Sequence, residues 1–271
     1  MATRTTKRLT DLSGEELSDL LSLMGGSDSV ELKVTLPVSE HRATIQALEL
    51  DPLEAQIRQV FFFDTPELAL YKAGVAVRAR RVQGRSGDTV VKLRPVKPDD
   101  LPEDVRRSAS MNVEVDAMPG GYVCSASMKG KVPNADVRAA IQGERPVSKV
   151  FSKEQRAFYT EHAPEGLKLN QLSILGPVFI LKETFVPEKY GRRVVAEVWL
   201  LPNGQRILEL STKCAPKEAF QVGVETRAYL EGLGLDLNVD PQTKTKATLE
   251  FFSKRLAKPA SDTPAEEPEA T

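Results

Sequence analysis

The chain has 271 residues, 41% hydrophobic and 28% charged, and its 37 Lys and Arg against 38 Asp and Glu leave a formal net charge of -1. That balance excludes a global basic field for nucleic acid or anionic lipid, and no apolar run reaches the length of a bilayer span. Two cysteines in unrelated contexts, Cys124 and Cys214, and two histidines, His41 and His162, exclude a zinc cluster, so any metal is expected to be a hard cation on carboxylates.

The start, MATRTTKRLT, lacks a secretory apolar segment, and a cytoplasmic location is the expectation. Residues 12–24 have helical periodicity, and Ser13 with Glu16 three positions on forms a capping box. After the breaker GGSDS, the stretch SVELKVTLP alternates Val30, Leu32 and Val34 with Ser29, Glu31, Lys33 and Thr35, which is the period of a strand with one apolar and one polar face. SEHRATIQALEL is predicted as a helix capped by Ser39, IRQVFFFDTP as a strand, and PELALYKAG as a short helix closed by Gly74. VAVRARRV and DTVVKLRPV are two strands joined through QGRSG, a hairpin signal. KPDDLPEDVRRS is a charged loop, MNVEVDAM a further strand, and residues 134–161 are mostly helical with a break at Pro146. PVFILKETFV, RRVVAEVWLL and QRILELSTK are strands, the last two joined by PNG, and PKEAFQVGVETRAYLEGLG is a helix with a glycine-rich end. The final KPASDTPAEEPEAT is rich in proline and acids without apolar periodicity, and disorder is expected there. The count is about eight strands, largely antiparallel.

The strands share a phase. Glu31 and Lys33, Arg78 and Arg80, Lys92 and Arg94, Glu114 and Asp116, then Lys182, Glu197, and Glu209 with Lys213, stand on one face, opposite aliphatic residues. An open antiparallel sheet with a solvated face explains the alternation by itself. The tight pairs of arginines and of acids also suit a closed barrel with a polar lumen and helices outside. Charge of that density inside a barrel requires compensation. A polyphosphate with divalent metal supplies it, since arginine forks bind phosphoryl oxygens and carboxylates bind the bridging ion.

At these residues the sequence resembles the CYTH superfamily, the triphosphate tunnel metalloenzymes, which includes class IV adenylate cyclases, thiamine triphosphatases and inorganic triphosphatases. Ser29-x-Glu31-x-Lys33 stands where the family has E-x-E-x-K, and FFFDTPELALYKAGVAVRARR (61–81) resembles its D-T and R-x-R run. TVVKLR corresponds to the strand of the tunnel lysine, Lys92, with Arg94 beside it; VEVD supplies Glu114 and Asp116; ILELS gives Glu209-x-Ser211; and TKTKATLEFF resembles the C-terminal lysine segment, with Lys246 the nearer match. Arg156 and Lys182 fit the later basic positions. The resemblance covers residues 28–256, leaving 1–27 as a helical extension and 257–271 as a tail. It implies an α+β fold, an eight-stranded antiparallel closed barrel with helices outside, binding a small-molecule triphosphate or nucleotide with Mg2+ or Mn2+, as a monomer or homodimer with no nucleic-acid or membrane partner. It also implies that Lys33, Arg78, Arg80, Lys92, Arg94, Arg156, Lys182 and Lys246 hold substrate and that Glu31, Glu114, Asp116, Glu197 and Glu209 hold metal. Glu31, Lys33 and Glu209 are the expected catalytic residues. The implied activity is triphosphate hydrolysis, with cyclic AMP synthesis or non-catalytic polyphosphate binding as alternatives. Ser29 and Ser211 depart from the pattern, each removing a carboxylate.

Overall fold

In the computed structural model of the chain, residues 13–235, 237 and 244–257 are described. The expectations for residues 1–12 and for the tail from 258 onward fall outside them. Nine strands close a barrel: β1 (Ser29–Leu36), β2 (Gln56–Asp64), β3 (Val75–Val82), β4 (Gly87–Leu93), β5 (Met111–Met118), β6 (Gly121–Val132), β7 (Ser173–Phe185), β8 (Val194–Leu200) and β9 (Arg206–Cys214). Their order around the barrel is β1-β5-β6-β4-β3-β2-β7-β8-β9, with β9 returning to β1. The described helices are α1 (Gly14–Gly25), α2 (His41–Ala47), α3 (Ala69–Lys72), α4 (Glu103–Arg106), α5 (Asn134–Ile141), α6 (Lys153–His162), α7 (Ala219–Gly232) and α8 (Lys244–Ala257).

The barrel departs from the expected eight antiparallel strands in two respects. The additional strand is β6, whose sequence reads weakly because both faces carry small residues: Ser125 and Ser127 turn one way, Cys124 and Ala126 the other. The pair β1–β5 is parallel, in the register Ser29↔Glu114 and Glu31↔Asp116, whereas every other pair is antiparallel.

Local chemistry sets the helix ends. Ser13 and Glu16 form the expected capping box of α1. Ser39 does not cap α2; it lies inside a one-turn 3-10 segment, and Glu40 stands at the cap position without a side-chain bond. Helices cover the outer face. Leu20 and Met24 of α1, Val137 of α5 and Phe158 of α6 pack in one cluster with Val77, Val91, Val113 and Val115 of the strands. Leu230 of α7 packs with Val34, Leu36, Leu208 and Leu210. Each such side chain, fully buried, stabilises the fold by about 1.5–3 kcal/mol. A buried polar anchor adds direction: Gln155 of α6 donates from Nε2 to the carbonyls of Thr89 and Met128, both at 3.0 Å, and its Oε1 accepts from Thr89 Oγ1 at 2.9 Å.

The third cluster lies within the barrel. Ile180, Trp199 and Ile207 stand two residues from Lys182, Glu197 and Glu209, so they continue the charged face as an apolar one. With Val60, Phe62 and Val178 they pack against Leu249 and Phe252 of α8. Alpha-helix α8 is thereby seated on one end of the barrel, and the lumen is polar in one part and apolar beneath that helix.

Candidate active site

The charged phase faces inward. Glu31 and Lys33 from β1, Arg78 and Arg80 from β3, Lys92 from β4 with Arg94 just beyond it, Glu114 and Asp116 from β5, Lys182, Glu197 and Glu209 all line one cavity of about 2310 Å³. The alternative of a solvated open sheet is thereby excluded. The D-T motif has a positional role at this cavity. Buried Asp64 accepts from the backbone amides of Thr65, Leu70 and Tyr71 at 2.7, 2.8 and 3.0 Å, with Leu68 in the left-handed region at φ 60. Those bonds fix the segment Tyr71–Gly74, which forms part of the lining.

The five expected metal-binding acids fall into two groups. Glu31, Glu114 and Asp116 bring one oxygen each within 4.8 Å of one another. Lys33 Nζ lies 2.7 Å from Asp116 and 3.0 Å from Glu31, while Lys92 and Arg94 approach Asp116 at 3.5 and 3.3 Å. Lys213 pairs with Glu114, and Ser29 Oγ donates to Glu114 Oε2 at 3.3 Å. Burial opposes the charge of Glu31, but Lys33 and a hydrogen bond from Glu114 outweigh it and hold the carboxyl at about 2. Burial and the neighbouring charge of Glu31 push Glu114 up, against Lys213 and Lys33. Asp116 is held well below the carboxylate range, since Lys92, Lys33 and Arg94 overcome its burial. Three converging carboxylates, offering only oxygen donors, fit a hard divalent cation.

Glu197 and Glu209 form the second group, opposite each other on β8 and β9. Lys244 Nζ lies between them, at 2.5 and 2.6 Å. Trp199 Nε1 donates to Glu197 at 3.1 Å, and Lys182 and Arg58 approach Glu197 at 3.8 and 3.9 Å. Burial works against the charge of Glu197, but Lys244 and Lys182 hold its carboxyl far below the ordinary value. The indole is buried, stacked on Phe62 at 6.4 Å and 4.9 Å from the Lys244 ammonium.

Cations prevail on β2 and β3. Arg80 donates to Asp88 at 2.8 and 2.5 Å, and Arg58 to Gln56 at 3.0 and 2.8 Å, but the buried Nε of Arg78 has no partner. Burial and the charge of Arg80 lower Arg78 and Arg58 to about 10. Burial lowers Lys182 to about 8, with Arg58 and Arg80 adding to the effect against Glu197. Lys92 also falls to about 8, because burial, Lys33 and Arg94 together outweigh Asp116. Such a cluster favours a polyanion.

Two expected substrate residues lie elsewhere. Arg156, on α6, donates to the carbonyls of Ser148 and Phe151 outside the lumen. Lys246 is exposed on α8 and pairs with Glu250 at 3.8 Å. Lys244 takes the inward place instead. Arg58 and Asp88 also belong to the charged network. Their strand phase gave a signal, since Arg58 shares a face with Val60 and Phe62, and Asp88 with Val90 and Lys92.

No protein-family model and no curated protein matches the chain. Solved structures do. A candidate adenylyl cyclase from Hippeastrum, HpAC1, described as having a dominant triphosphatase activity, superposes with a TM-score of 0.60 at 15% identity, over 82% of this chain and 95% of that one. A candidate adenylate cyclase from Bacillus halodurans superposes with a TM-score of 0.57 at 13% identity, over 82% of this chain and 97% of that one. The chain therefore has the barrel fold of these proteins, the fold its motifs imply. Among the described residues no helix is long and apolar enough to cross a membrane.

Proposed function

We propose that the lumen binds a triphosphate-containing substrate and hydrolyses its terminal phosphoanhydride with Mg2+ or Mn2+. The observation that carries this reading is Arg78, an arginine with a buried Nε lacking a partner, set beside Arg80 on β3 in the same cavity as the carboxylate trio. Arg58, Arg78, Arg80 and Lys182 face the phosphoryl oxygens at one side, and Lys33, Lys92 and Arg94 at the other. Glu31, Glu114 and Asp116 would hold the cation, which when bound neutralises developing phosphoryl charge and acidifies water. Glu31, ionised, accepts a hydrogen bond from the attacking water and orients it. Lys33, held between Glu31 and Asp116, donates to a phosphoryl oxygen. Glu209 acts through Lys244. Water adds to the terminal phosphorus with its protons staying on the phosphate formed or passing to solvent, and the bridging P–O bond breaks with its electron pair leaving on the diphosphate. Positioning and electrostatics supply the rate. The triphosphatase activity described for HpAC1 supports this reading.

A non-catalytic polyphosphate binder is the second reading, favoured by Ser29 and Ser211, which remove two carboxylates. The test is a panel of tripolyphosphate, ATP and thiamine triphosphate with Mg2+ or Mn2+, assayed for phosphate, pyrophosphate and cyclic AMP. Phosphate release is expected. Pyrophosphate with cyclic AMP from ATP would replace hydrolysis by cyclisation, in which the ribose hydroxyl attacks; binding without turnover would favour the second reading.

A further inference from the structure

The two acidic groups of the lumen are not equivalent. Lys33 lies between Glu31 and Asp116, but Glu114 brings a third carboxylate oxygen within 4.8 Å of both, a converging set a cation can bridge. Among the described residues no third carboxylate joins the pair Glu197 and Glu209. Its facing oxygens already meet one ammonium, Lys244 Nζ, at 2.5 and 2.6 Å, and that ammonium has Trp199 on another side at 4.9 Å to the ring centroid. Lys244 is the first residue of α8, and α8 is fastened by Leu249 and Phe252 to the apolar end of the lumen. The lysine is thus delivered by a packed helix to a fixed point.

We infer that Lys244 is a built-in cation standing where these two carboxylates would otherwise take up a metal ion, so that the chain binds one divalent cation, at the trio, and keeps the other end of its lumen cationic without metal. The inference builds on the proposed function and departs from the expectation that Glu197 and Glu209 are metal ligands. Two carboxylates facing each other across adjacent strands repel unless a cation lies between them. An ammonium does so without entering or leaving with solvent metal. The ligand then meets a permanent positive charge beside Glu197, and metal dependence is confined to the Glu31 side. Lys244 is a positioning residue for Glu197 and Glu209.

The experiment is Mn2+ binding to the full chain without ligand, counted by calorimetry and electron paramagnetic resonance, for wild type, Lys244→Met and Lys244→Gln. Lys246→Ala serves as the control on the exposed face of the same helix. The expected result is one more Mn2+ per chain in Lys244→Met and Lys244→Gln than in wild type or Lys246→Ala. That added ion should persist when Asp116→Asn is combined with Lys244→Met, since it lies at the other group. Circular dichroism selects whichever of the two Lys244 variants folds as wild type. If both lose the fold, Glu197→Gln with Glu209→Gln in the otherwise unchanged chain is counted instead. Unchanged Mn2+ stoichiometry supports the inference, because the pair holds none; loss of one ion overturns it. An equal count in wild type and a folded Lys244 variant also overturns it. Failure of the proposed function is separate: wild type would bind no Mn2+, or no tripolyphosphate, whatever the Lys244 variants gain.

Discussion

Arg78 and Arg80 stand two residues apart on the same face of β3, yet Arg80 has Asp88 at 2.5 Å and the Nε of Arg78 has no partner. The two are expected to respond differently to removal. Arg78→Ala and Arg80→Ala each lose charge-assisted contacts to a phosphoryl group, about 1.5–3 kcal/mol, or roughly ten- to a hundredfold in tripolyphosphate affinity. Stability should separate them: Arg78→Ala removes a buried cation whose Nε lacks a partner and leaves the melting temperature unchanged or higher, whereas Arg80→Ala strands Asp88 and lowers it. Calorimetry with tripolyphosphate and thermal denaturation of the free proteins check both. Wild-type affinity in both variants would remove the anion site from this wall.

The lysines predict a pH dependence. Lys92 and Lys182 are lowered from 10.5 to about 8 in the folded chain, chiefly by burial. Between about pH 8 and 10.5 the unfolded chain therefore carries protons that the folded chain lacks, so their contribution to stability rises with pH through that window. Ligand affinity runs the other way, since a bound polyanion needs both ammonium groups. Metal-free tripolyphosphate should bind roughly ten- to a hundredfold more weakly at pH 9 than at pH 7. At pH 8 binding should take up protons, detectable by calorimetry in buffers of different ionisation enthalpy. No proton uptake would place these lysines away from the ligand.

Ser29 bonds to Glu114, so Ser29→Glu would add a fourth carboxylate to the trio. Mn2+ affinity without ligand should rise by about tenfold or more, since 1.4 kcal/mol is well within the attraction of opposite charges a few ångströms apart. Ser211→Glu should add less, because its register partner is Lys33. Titration of the three proteins decides. An unaltered affinity for Ser29→Glu would show that residue 29 does not reach the ion.

Gln155→Ala leaves the carbonyls of Thr89 and Met128 without their side-chain donor and Thr89 Oγ1 without its acceptor. A loss of about 2–3 kcal/mol is expected, a fall in melting temperature of roughly 5–10 °C. Differential scanning calorimetry measures it. Because the site contacts neither acidic group, Mn2+ stoichiometry should be preserved.

Strand phase made most of the lumen legible, because a period of two puts Glu31 with Lys33, and Arg78 with Arg80, on one side whatever the topology. It did not say which side is inside; that follows from closure. Helix α8 shows where sequence reading fails. Lys244 and Lys246 are two residues apart, about 200° around a helix at 3.6 residues per turn, so one enters the lumen and the other faces out. Nothing in TKTKATLEFF distinguishes them before the helix is seated by Leu249 and Phe252. Arg156 likewise lies on α6, where its charge caps the carbonyls of a neighbouring turn. Strand β6 was obscured because Ser125 and Ser127 face in opposite Cys124 and Ala126, a contrast too slight to read as alternation.

The placing of β1 between β5 and β9 has a kinetic consequence. The bond from Ser29 to Glu114 spans 85 residues and that from Cys214 to Val30 spans 184. The strand carrying Glu31 and Lys33 has no mate among its sequence neighbours, so both its edges wait for distant segments. Loop closure on that scale makes for slow folding, since ordering entropy is lost long before the contacts that offset it form. During synthesis β1 stands as an open edge until β5 emerges, and the ring closes only with β9. A fragment ending before β9 would expose that edge to other chains and bring no second wall to Lys33, so assembly of the lumen and escape from aggregation are one late event.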